Sequence, residues 1–132
     1  MEMEVTFPGG KKVNTSYNGF TIETDLPEKE GGKNSAPTPS EYFLASIGAC
    51  AGLYALGFCE QRNYNTKLLK LNLEFESDPK THMIKKIIMK INLPPEFPQK
   101  YVSALIRTVN LCYVKKHLEQ PPEFDVKTII SG

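Results

Sequence analysis

Residues Ala36 to Arg62, APTPSEYFLASIGACAGLYALGFCEQR, leave this chain few ways to fold. Most of the stretch predicts one helix of about seven turns. Thr38 suits the N-cap, Pro39 the first helical position, and Glu41 the third position of a capping box. The polar run Gln61-Arg62-Asn63 marks a softer end. Inside lie Ala45, Ser46, Gly48, Ala49, Ala51, Gly52, Ala55 and Gly57. Each glycine costs about 1 kcal/mol against alanine in a helix, so close packing is expected around all three.

A helical wheel sorts the stretch into two faces. Ala45, Gly48, Ala49, Gly52, Ala55, Leu56 and Cys59 share a small face suited to tight helix packing. Phe43, Ser46, Ile47, Cys50, Leu53, Tyr54 and Gly57 share a mixed one. Cys50 and Cys59 then sit roughly 13 Å apart along the axis and point apart, which excludes a disulfide between them in an intact helix. Cys59 is read as packing.

The remaining chain alternates and turns. Met1, Met3, Val5 and Phe7 mark one strand, Lys11–Tyr17 a second, and Phe20–Asp25 a third, with Asn18-Gly19 as a hairpin signal. Leu26–Ser35, with Gly31-Gly32 and charged residues, is expected to be a mobile loop; it lacks the Gly-Lys-Ser/Thr of a phosphate loop. Past the long helix, Lys67–Glu76 and Met83–Leu93 each carry one wet face, as antiparallel strands do. A second helix is expected from Pro98 to about Leu118, ended by Pro121-Pro122, with Phe124–Ile130 as a last strand. The expectation is an α+β fold of order βββ-α-ββ-α-β, antiparallel sheets around two central helices, in one domain over residues 1–132.

Composition narrows the function. The net charge is +1 without a basic cluster, so a nucleic-acid partner is not expected. Neither a signal peptide nor a long apolar run is recognised, so a soluble cytoplasmic protein without membrane contact is expected. Three cysteines fit a reducing compartment better than a disulfide scaffold. His82 and His117 lack metal-ligand spacing and read as a turn residue and a helix-end cation, so no metal site is expected. What remains is thiol chemistry at Cys50 and Cys112, set against the ordinary role of a buried cysteine as a small hydrophobe.

The segment Pro39-Ser40-Glu41-Tyr42-Phe43-Leu44-Ala45-Ser46-Ile47-Gly48-Ala49-Cys50 resembles the central-helix motif of the OsmC/Ohr family, the osmotically inducible and organic-hydroperoxide-resistance proteins. Asn110-Leu111-Cys112-Tyr113-Val114 resembles that family's second-cysteine helix, and the element order is similar along nearly the whole chain. The resemblance implies an intertwined homodimer with the central helices in its core and sites at the subunit interface. It also implies reduction of organic hydroperoxides, without metal or flavin, as an oxidative-stress response. Cys50 would be the attacking thiolate, Cys112 the resolving thiol and Glu41 a site residue. An external dithiol, a lipoyl group in better-known members, would be the reductant. Phe43, Ile47, Leu53 and Tyr54 would form an apolar mouth for the substrate. The chain departs from the family's peroxidases in having no arginine before Arg62, the position range of the cation that activates their thiolate. Lys11, Lys12 or Lys33 are the nearest substitutes in kind, without the guanidinium fork. The second reading is a non-catalytic dimer of the same fold that binds a small apolar ligand at the interface.

Overall fold

The computed structural model describes residues 1–131. The chain divides into two compact units, residues 1–46 and 47–132, and the division falls inside its longest helix. The α+β class and the antiparallel pairing stand as expected.

In the first unit, β1 (Glu4–Gly9), β2 (Lys12–Tyr17) and β3 (Phe20–Thr24) form a meander in that order. Gly9 pairs with Lys12, so Gly10-Lys11 is a two-residue hairpin loop, and Gly10 takes a positive φ of 58°. Tyr17 pairs with Phe20 around Asn18-Gly19, both at positive φ, as the hairpin signal requires. The loop expected to be mobile is instead held from within. Asp25 is only 1% exposed, and its carboxylate accepts from the Leu26, Lys33 and Ser35 N–H groups and the Ser35 hydroxyl. Glu28–Glu30 forms one 3-10 turn there. Gly32 is fixed by space: a Cβ would run into the Leu26 carbonyl.

Helix α1 spans Pro39–Gln61. Its capping box forms as the sequence demands: the Glu41 N–H donates to Thr38 Oγ1 at 3.2 Å, and the Thr38 N–H donates to Glu41 Oε1 at 2.9 Å. By length and composition α1 is apolar enough to cross a membrane, which corrects the expectation of no long apolar run. The same helix supplies core residues, a property that passes the same test.

In the second unit, β4 (Lys70–Ser77) and β5 (Ile84–Asn92) pair antiparallel. Leu71 faces Ile91, Leu73 faces Met89 and Phe75 faces Ile87, giving one apolar face, while the Lys90–Glu74 ion pair (2.7 Å) lies on the exposed one. His82 sits in the turn at φ 63°. The core gathers Ala51, Ala55 and Phe58 of α1 with Leu105 and Val109. The Arg62 guanidinium lies 3.6 Å from the Phe58 ring centroid, closing the helix end.

Four expectations change here. The buried stripe of α1 takes Ala55 and Cys59 from the small face, Ile47 from the mixed one and Ala51 and Phe58 from neither, because the β4–β5 sheet and the later helices cover an arc between the two. Only Gly48 is closely approached, by the Leu73 side chain, while Gly52 and Gly57 look onto open space within the chain. The second helix is broken into α2 (Val102–Val109) and α3 (Tyr113–Glu119), preceded by a 3-10 turn at Gln99–Tyr101. Thr108 bonds back to the Ala104 carbonyl and β-branched Val109 follows, and tighter i→i+3 bonds from Leu111 and Cys112 close α2. Finally, Phe124–Ile130 forms no strand. Phe124, Val126, Ile129 and Ile130 are almost fully exposed, and a strand without a neighbouring edge has no partner for its backbone groups.

Candidate functional site

The break after α2 positions the chemistry. Cys112 occupies the N-cap position of α3 with non-helical backbone (φ −45°, ψ 128°). There it meets Cys50, from the middle of α1. All three cysteines are free thiols. Cys50 is half-buried, and Cys112 and Cys59 are buried.

The two thiols are not equivalent. Burial opposes ionising Cys50, but the neighbouring Cys112 thiol and the Val114 and Tyr113 N–H groups favour its thiolate, and the net effect holds the Cys50 thiol below its ordinary range. Burial raises Cys112, and the hydrogen bond it gives Cys50 raises it further, together with the charge on Cys50; the Lys115 and Val114 N–H groups work the other way. The pair thus has one sulfur arranged to carry negative charge and one arranged to keep its proton. Cys59 is raised by burial, offset in part by Arg62, and fits the packing role.

Beside Cys112 opens a cavity of about 540 Å³. Its walls are apolar: Ile47 of α1, Ile87, Met89 and Ile91 of β5, and Ile106 and Val109 of α2. Asn110, Lys115 and Glu119 form a polar rim, with the Lys115 ammonium bonded to Asn110 Oδ1 at 2.8 Å and 3.7 Å from Glu119. The volume suits a small organic molecule.

Of the residues expected at a substrate mouth, Ile47 is 2% exposed and lines this cavity. Leu53 and Tyr54 do not line it; Leu53 is 66% exposed on the outer face of α1, and Phe43 is also exposed. Glu41 is engaged with Thr38, whose N–H and hydroxyl hold its carboxyl below the usual range. The β5 wall and the Tyr113 and Val114 amide donors were not assigned to the site by the sequence reading. The period-2 pattern of β5 was the available signal for the first; the amides had none, because they depend on the helix break.

The OsmC-like protein family matches residues 32–127, most of the chain and both cysteines of the pair. The chain belongs to the OsmC-like family. No curated protein matches it by sequence. Among solved structures, the OsmC-like protein of Mycoplasma pneumoniae superposes with a TM-score of 0.71 at 13% identity, covering 91% of this chain and 87% of that one. The Legionella pneumophila organic hydroperoxide resistance protein OsmC gives 0.52 at 16% identity, covering 89% of each chain. The organic hydroperoxide resistance protein OhrB of Bacillus subtilis gives 0.55 at 14% identity, covering 92% of this chain and 93% of that one. At these identities the likeness concerns the fold. The OsmC-like match spans the division between the two units.

Proposed function

We propose that this OsmC-like protein reduces organic hydroperoxides through Cys50, with Cys112 as the resolving thiol. The observation that carries the reading is the pair of neighbouring free thiols, Cys50 lowered and Cys112 raised, with Cys112 lining an apolar cavity. In the first step the Cys50 thiolate attacks the distal peroxide oxygen, the O–O bond breaks, and the alkoxide leaves as alcohol after taking a proton. Cys50 becomes a sulfenic acid. The Cys112 sulfur then attacks it, water leaves, and a disulfide forms; an external dithiol returns both thiols. No cation stands among the groups that lower Cys50, so the thiol and amide donors take the part the family's arginine plays. Ile47 and the β5 wall favour an organic peroxide over hydrogen peroxide, and a reducing cytoplasm is the fitting compartment.

The active form is a homodimer on this reading. Leu53 is exposed, and Gly52 and Gly57 open outward, on a long apolar helix that one chain leaves partly bare. Gly52→Leu should dissociate the dimer, at about 1–3 kcal/mol or more from overpacking; a stable folded monomer of the unaltered chain in sedimentation would refute the assembly. The absence of any arginine before Arg62 favours the second reading, a non-catalytic dimer binding a small apolar ligand. Peptide mass mapping after cumene hydroperoxide decides between them. A Cys50–Cys112 disulfide is expected; a free Cys50 with Met83 or Met89 oxidised first overturns catalysis.

A further inference from the structure

The first unit holds a second cleft, unrelated to the thiols, that combines charge with an apolar wall. Its polar lobe, about 300 Å³, lies between the β1–β2 hairpin loop and the Asp25-held loop, with Lys11, Lys12 and Lys33 around a wall made of Gly10, Gly31 and Gly32. The apolar lobe, about 340 Å³, is walled by Phe7, Val13, Leu26 and Pro39. The lobes share Gly9, Gly10, Lys11, Lys12 and Asp25, so they meet at the hairpin.

Three features make this more than a solvated lysine cluster. Among the described residues none of the three lysines is in an ion pair, although Lys90, Lys115 and Lys127 all are. The single carboxylate in the lining, Asp25, is buried and accepts four hydrogen bonds from its own loop, and with three lysines against it the cleft is net positive. At the hairpin, Gly9 and Gly10 have nothing within 4 Å of where a Cβ would stand, so a ligand reaches backbone there, while the Lys11 stem lies across Gly31 at 3.5 Å from its Cβ position. Lysine ammonium groups serve as point charges for phosphate and carboxylate; the Gly31 and Gly32 N–H groups are already given to the Glu28 and Pro27 carbonyls, so the lysines carry the recognition.

We infer that this cleft binds a small amphiphilic anion, with its phosphate or carboxylate head among Lys11, Lys12 and Lys33 and its short hydrocarbon body against Phe7, Val13 and Leu26. The site stands apart from the thiol reading, and its test does not use turnover.

The full-length protein, labelled with nitrogen-15, is titrated with hexyl phosphate, hexanoate, inorganic phosphate and hexanol. Hexyl phosphate or hexanoate should shift the amide signals of Gly9, Gly10, Gly31 and Gly32, and the tighter of the two identifies the head group. Inorganic phosphate and hexanol should each bind at least roughly tenfold more weakly than that compound. The double variant Lys11→Gln/Lys33→Gln, whose exposed side chains leave the fold intact, should weaken binding by a similar factor, as should raising the salt from tens to hundreds of millimolar. Unmoved glycine signals at millimolar hexyl phosphate and hexanoate overturn the site. Equal binding of hexanol removes the role of charge, and equal binding of inorganic phosphate removes that of the apolar lobe; either result also overturns it.

Discussion

A buried carboxylate and a half-buried thiol in this protein are set by their neighbours in opposite ways. Asp25 takes all its donors from the residues that follow it, Leu26 to Ser35. The Ser35 hydroxyl first, then the Leu26 and Ser35 N–H groups, against the effect of burial and with help from the Lys33 N–H, bring its carboxyl down to about 2. Cys50 takes its donors from Cys112, Tyr113 and Val114, far along the chain. The carboxylate is fully satisfied and its charge is fixed at neutral pH, so it serves structure. The thiol gives up its proton more readily beside a second thiol that can also form a bond to it, so it serves chemistry. A local donor set makes a staple; a remote one that includes a second thiol makes a reactive pair.

The largest test of this contrast is Cys50→Ser. Its hydroxyl cannot replace the thiolate, and peroxide turnover should fall by roughly 10⁴-fold or more. Cys112→Ser should still permit one oxidation and leave a sulfenic or overoxidised Cys50, visible by mass spectrometry. Cys59→Ser should leave turnover nearly intact. A peroxidase assay in which all three variants behave alike would end the distinction between a reactive pair and a packing cysteine.

Next in size is the staple's backbone. Gly32→Ala drives a methyl into the Leu26 carbonyl and within 2.8 Å of Asp25 Oδ1, both held in place, and should destabilise by about 1–3 kcal/mol. Urea unfolding measures it; an unchanged midpoint would mean that the loop gives way freely.

The two groups should also separate by pH. Asp25 has a folded value near 2, below the usual carboxylate value of about 3.9. Its contribution to stability is therefore complete above about pH 4 and is lost as pH falls from there through 2. Asp25→Asn should flatten that part of the acid-unfolding curve and speed hydrogen exchange at the Lys33 and Ser35 amides. Cys50 titrates on the alkaline side. Alkylation followed against pH should find Cys50 reacting at lower pH than Cys112, and Cys112→Ala should move the Cys50 profile upward. An unmoved profile would show that the Cys112 thiol does not hold the thiolate.

The smallest expected effect is at the helix cap. Thr38→Ala removes the acceptor for the Glu41 N–H and should cost about 0.5–2 kcal/mol, read in thermal unfolding. A turnover loss larger than this stability loss would give Glu41 a role beyond capping.

The sequence by itself determined what neighbours in the chain decide. Thr38, Pro39 and Glu41 start α1, Asn18-Gly19 turns the β2–β3 hairpin, and the alternation of Leu71, Leu73 and Phe75 with polar residues sets the inward face of β4. Each depends on a period or a contact within a few residues, so it can be read from the order of side chains. The resemblance carried by Pro39–Cys50 and Asn110–Val114 likewise lies in short runs. Only the tertiary structure decided the rest. It chose which stripe of α1 is buried, interrupted the later helix so that Cys112 turns toward Cys50, and left Phe124–Ile130 without a strand partner. It also made Asp25 a buried staple rather than one more loop charge. The buried stripe and the unpartnered tail depend on surfaces brought together from distant positions, and a linear pattern carries no term for what will cover them; the helix break and the Asp25 staple turn on side chain–backbone and turn hydrogen bonds that composition leaves open.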